Sequence, residues 1–136
     1  MKIEEHQKAY REHLEHIKRA IDEGLEENQR NIGFNVSQGA TELFAIYLHT
    51  LNVIQGSGDQ FDHRMFKSKS LLNKRLPQQF PEKEEILKLM SSIEQERNVL
   101  CYGARKPKER IEKIIKTFNK LREIINRRLK DAEREE

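Results

Sequence analysis

Residues 86–103, ILKLMSSIEQERNVLCYG, decide the fold. Ile86, Met90, Ile93 and Leu100 recur at spacings of four, three and seven, which predicts one buried face of a helix. Arg97 falls in the gap, four after Ile93 and three before Leu100. A guanidinium therefore stands where the pattern asks for a leucine. It cannot shed its charge, and an unpaired charge away from water is costly. At that place it must meet an acid, water or another subunit.

The flanks of this stretch agree with a helix. Pro81 followed by Glu-Lys-Glu-Glu suits a first turn, because proline fits there and acids favour the positive end of the helix dipole. Gly103 is a natural stop, with Pro107 beyond it. From 108 to 132 a second strongly periodic helix carries Ile111, Ile114, Ile115, Phe118, Leu121, Ile125 and Leu129 inward, with bases on its outer faces. Residues 131–136 read as a frayed acidic tail.

Toward the N-terminus, residues 2–27 form a long amphipathic pattern with Tyr10, Leu14, Ile17, Ile21 and Leu25 as its stripe. Residues 28–31 read as a polar break. A helix over 32–54 follows, with a wide apolar arc that includes Val36, Ala40, Leu43, Phe44, Tyr47, Leu48 and Leu51, and this should be the central, most buried element. Gly33 and Gly39 within it permit close helix approach. Residues 55–59 are loop chemistry, and residues 61–76 read as a shorter helix before the Pro77–Pro81 connector. Glycine and proline are sparse and no β-branched alternation occurs. The expected fold is all-α: an antiparallel up-and-down bundle of four long helices plus one short helix, in a single domain over 1–136.

Charge is unevenly spread behind a net of +3. Residues 97–130 hold twelve bases against three acids, whereas residues 1–32 hold six bases against eight acids. That asymmetry points to a polyanion or an acidic protein face as partner, with a merely solvated helix face as the plain alternative. One cysteine, Cys101, excludes an intrachain disulfide and fits a reducing, cytoplasmic setting; in the core it behaves as a small hydrophobe. No apolar run is long enough to span a bilayer.

Metal and cofactor signals are weak. His13 and His16 lie three apart but have no third ligand, and Gly56 and Gly58 lack the strand and third glycine of a phosphate loop. Asp59, Asp62 and His63 suit helix capping, with a metal site as the alternative. No cofactor or metal is expected.

The chemistry concentrates in residues 96–103, ERNVLCYG. Glu96, Arg97 and Asn98 are polar, and Tyr102 joins them if the helix ends at Gly103. An arginine in a partly dry groove suits a phosphate or a developing phosphorane. This pattern resembles the HEPN superfamily (higher eukaryotes and prokaryotes nucleotide-binding), small helical bundles marked by an arginine, four to six residues and a histidine on a late helix. An acidic or amide neighbour commonly flanks that arginine, as Glu96 and Asn98 do here.

The resemblance implies a homodimer whose two arginine motifs face one another across a cleft. Active members are metal-independent endoribonucleases; others pair with a small nucleotidyltransferase in toxin–antitoxin systems or bind nucleic acid without cleaving it. Carried over, Arg97 would hold the phosphate, Glu96 and Asn98 would orient it, and Arg105 and Lys106 would add positive charge. The family histidine has no counterpart. The four-residue spacing lands on Tyr102, and the longer ones on Gly103 and Ala104. A phenol, with an ordinary pKa near ~10, is a poor base at neutrality. The expected function is therefore RNA or nucleotide binding with weak or absent cleavage. The alternatives are an interaction module for a nucleotidyltransferase and an active ribonuclease using Tyr102. The plain reading of Arg97 is an internal pair with a glutamate such as Glu42.

Overall fold

A computed structural model describes residues 2–54, 66 and 69–135. Its helices are α1 (Ile3–Glu23), α2 (Gln29–Thr50), α3 (Lys69–Arg75), α4 (Lys83–Cys101) and α5 (Lys108–Glu135). No strand occurs among the described residues. The expectation of an all-α chain is met.

Side-chain pairs give the helix directions. His6 on α1 meets Glu42 on α2, and His13 meets Asn35, so α1 and α2 are antiparallel. On the other side of α2, Ser37 reaches Glu94 and Tyr47 reaches the carbonyl of Pro81, so α2 and α4 are antiparallel too. Glu96 with Arg110 and Glu82 with Arg128 make α4 and α5 the third antiparallel pair. The four long helices alternate in direction, and α3 belongs to the connection from α2 to α4.

The most buried helix is α2, as its broad apolar arc requires. Ile32, Val36, Ala40, Phe44 and Leu48 have no exposed surface, and each large one among them contributes about 1.5–3 kcal/mol by leaving water. Phe44, Phe66, Tyr47 and Phe80 pack as a ring cluster at its C-terminal half. Lys83 closes that end by donating to the carbonyls of Leu76 and Gln78. At the other end α2 and α4 touch through Gly33: a Cβ there would lie 2.9 Å from Leu100 Cβ and 3.2 Å from Cys101 Sγ. Only glycine allows that approach.

Several boundaries differ from expectation, with local causes. The first helix stops at Glu23 because Gly24 takes φ +129°, a conformation other residues rarely adopt, so Leu25 lies in the turn. The polar residues 28–31 are not a break. Asn28 donates to the carbonyl of Gly24 at 2.8 Å, and Gln29 opens α2 fully buried. The C-terminus of α2 falls at Thr50, short of Ile54, because Asn52 turns to φ +61° and the Val53 amide doubles back to the Leu48 carbonyl. At the end of the chain, α5 continues to Glu135 through residues read as a frayed tail. The expected helix over 61–76 is seen from Lys69 to Arg75; Asp59, Asp62 and His63 lie outside the described residues.

Candidate functional site

Neighbouring positions on a helix point about 100° apart, so the ERN triplet of α4 splits among three directions. Glu96 turns toward α5. Its carboxylate accepts from Arg110 Nε at 2.9 Å and pairs with Lys113 at 3.8 Å, while the side chain is 9% exposed. It is committed inside the subunit. Asn98 is exposed. Arg97 turns toward the α2–α4 seam and is 8% exposed.

The surroundings of Arg97 are unusual. Its Nε is buried with no hydrogen-bond partner, and among the described residues no carboxylate comes within ion-pair range. Glu42, the internal acid suggested from sequence, hydrogen-bonds His6 on the opposite side of α2 instead. Glu94, one turn before Arg97, accepts the Ser37 hydroxyl at 3.4 Å. A guanidinium keeps its charge and five donors at every ordinary pH, so a cation largely withdrawn from water stands here with its Nε–H unmet.

Cys101 completes the stripe Glu94, Arg97, Cys101 on α4. It is half-buried rather than a core residue, with Sγ 3.8 Å from the carbonyl of Arg30. Burial pushes its thiol above the ordinary value, against the opposing pull of the Arg97 and Arg30 charges. Those two cations therefore share one electrostatic neighbourhood.

The seam is held shut at its end by α2. Gln29, fully buried, donates to the carbonyls of Leu100 and Ala104 at 3.1 and 3.3 Å and accepts from the Lys106 amide at 2.6 Å. The Leu100 carbonyl belongs to the last turn of α4, where carbonyls lack helical partners, so this glutamine acts as a cap from another helix. Arg30 donates to the carbonyl of Gly103 at 2.9 Å, and Arg105 donates to the carbonyl of Glu26. Gly103 itself has φ +94°, which turns the chain out of α4. Tyr102 caps the helix in extended conformation and is 63% exposed.

The residues singled out from sequence thus divide. Arg97, Tyr102, Arg105 and Lys106 lie at one end of the bundle, along the α2–α4 seam and its following turn; Asn98 is exposed one residue beyond Arg97. Glu96 is drawn away to α5. Sequence reading missed Gln29, Arg30 and Phe34, the last 46% exposed. The signal for the latter pair was their four-residue spacing, which puts both on one face of α2 with Ser37. Among the described residues no three His, Cys, Asp or Glu side chains are placed to hold a metal ion, and no helix is long and apolar enough to cross a membrane. A separate groove of about 370 Å³ between α1, α2 and α5, floored by Leu43 and Ile46, contains none of these residues.

Comparison with protein-family models, with curated proteins and with solved structures finds no match.

Proposed function

We propose that this chain is an HEPN-like homodimer that binds RNA or nucleotide phosphate through Arg97, with ribonuclease activity weak or absent. The observation that carries this reading is the guanidinium itself: nine-tenths buried, permanently charged, and without an acid in ion-pair range among the described residues. A phosphate oxygen supplies what it lacks, since a charge-assisted bond to an anion is roughly twice as strong as a neutral one. Arg30 and Arg105, both exposed, add positive charge at the same end. Glu96 has no part in orienting the phosphate, because Arg110 and Lys113 hold it. Cleavage stays weak because the only side chain at the position of the family's base is an exposed tyrosine.

The test is RNA affinity as a function of salt. Fluorescence anisotropy with a labelled RNA should show binding that falls steeply between about 50 and 200 mM salt, as release of counterions from neutralised phosphates requires. Arg97→Ala should weaken binding about tenfold or more while the folded protein persists. An affinity unchanged in that variant removes Arg97 as the phosphate ligand. Incubation with RNA in chelator should leave it intact or nearly so; rapid cleavage lost in Tyr102→Phe would instead make Tyr102 a catalytic residue. Sedimentation should give a dimer; a monomer at working concentration removes the facing-motif arrangement.

A further inference from the structure

We infer that Phe34 and Tyr102 form a stacking platform beside Arg97, which selects RNA with unpaired bases. The inference rests on the phosphate-binding reading above and extends it from charge to base.

Its basis is the register of the α2–α4 seam. Arg30 is joined to Cys101 and Gly103, and Ser37 is joined to Glu94. These pairs fix how the antiparallel helices slide past each other. Phe34 lies midway between Arg30 and Ser37 on one face of α2, and Arg97 lies midway between Glu94 and Cys101 on α4. Phe34 therefore sits at the level of Arg97. It is 46% exposed, although it belongs to the most buried helix of the protein. Among the described residues its ring neighbour is His13, edge-on at 6.2 Å, which braces one side of the ring.

Tyr102 supplies the second ring. Among the described residues, Phe34 and Tyr102 are the only phenylalanine or tyrosine side chains that are exposed rather than half-buried. Both belong to the same end, where Gln29 and Arg30 tie the backbone following α4 to the start of α2. Leaving an aromatic ring in water forgoes the burial that rings usually supply. Two such rings at the same end of the bundle as Arg97, Arg30 and Arg105 match what a single strand needs: phosphate contacts for the backbone and flat faces for splayed bases. A duplex, whose bases are stacked on each other, offers no face to either ring.

The experiment compares three RNA probes of equal phosphate count: a single strand, the same strand within a duplex, and an abasic strand. The single strand should bind tightest. Phe34→Ala should weaken it by about 5- to 150-fold and leave the abasic strand unaffected, since each stacked base is worth roughly that factor. Phe34→Trp should retain single-strand binding, and Tyr102→Ala should act in the same direction as Phe34→Ala. The ring is exposed, so a thermal melt should show Phe34→Ala folded like the parent. If Phe34→Ala leaves single-strand affinity intact while Arg97→Ala weakens it, the platform is wrong and the phosphate reading stands. Equal affinity for duplex and single strand also overturns the platform. If no probe binds, both fall.

Discussion

The two seams that flank α2 differ in how a charged side chain is met. Along α1–α2, side chains answer one another across the interface: His6 donates to Glu42, and His13 bonds Asn35, which in turn donates to Asn31. Along α2–α4, Gln29 and Ser37 are bonded across the interface, yet Arg97 Nε is left without a partner. Buried polar groups in folded proteins are nearly always satisfied, and those that are not call for an explanation. In the first seam Glu42, His13 and Asn35 each have a side-chain partner within the subunit, and those pairs read as architecture. The second holds a guanidinium with no carboxylate in ion-pair range among the described residues.

The largest effect should come from the clamp. Gln29→Leu would strip three backbone groups of their partners at once, and with carbonyls left unmet in a buried place it should destabilise the protein by about 3 kcal/mol. A urea midpoint equal to that of the parent would show that the two ends of the seam are not tied. A sharper division compares adjacent residues of α4. Arg97→Met should raise stability by about 1 kcal/mol, because a well-fitted apolar chain costs less than an uncompensated cation. Glu96→Gln should lower it, because Arg110 and Lys113 would lose their anion. If Arg97→Met also lowers stability, the arginine has an internal partner and the contrast between the seams disappears.

The smallest effect is on Cys101. Burial holds its thiol above the ordinary value, so alkylation at neutral pH should run slower than for a free thiol. The Arg97 charge pulls the same thiol the other way, so Arg97→Met should slow alkylation further, and a phosphate bound to Arg97 should do the same in the parent. The sign for stability follows. A thiol whose value is higher folded than unfolded contributes fully below the unfolded value, and that contribution is lost as pH rises through the folded one. Cys101→Ala should therefore reduce the alkaline loss of stability; an unchanged profile would exclude that source.

Much of this was legible in the chain because periodicity reports directly on burial. Arg97 could be placed on a buried face from its spacing to Ile93 and Leu100 alone, and α2 could be made central from the width of its arc. Helix ends were less legible. Gly24 ends α1, a stop that the glycine marks but the apolar stripe running on to Leu25 obscures, and residues 28–31, polar in sequence, include a fully buried glutamine whose partners lie more than seventy residues away. The same limit applies to Glu96 and Phe34. Which way a residue beside a stripe turns depends on where the neighbouring helices stand, and only the packed bundle fixes that.

Gly33 and Phe34 sit side by side at the heart of the second seam, and their freedoms are opposite. A library varied at both codons and sorted only for folded protein should return a single letter at position 33, where even a methyl group collides with Leu100. Position 34 should drift. Sorting the same library for retention on an oligonucleotide column should then restore aromatic letters at 34, separating what the scaffold demands from what a visitor demands.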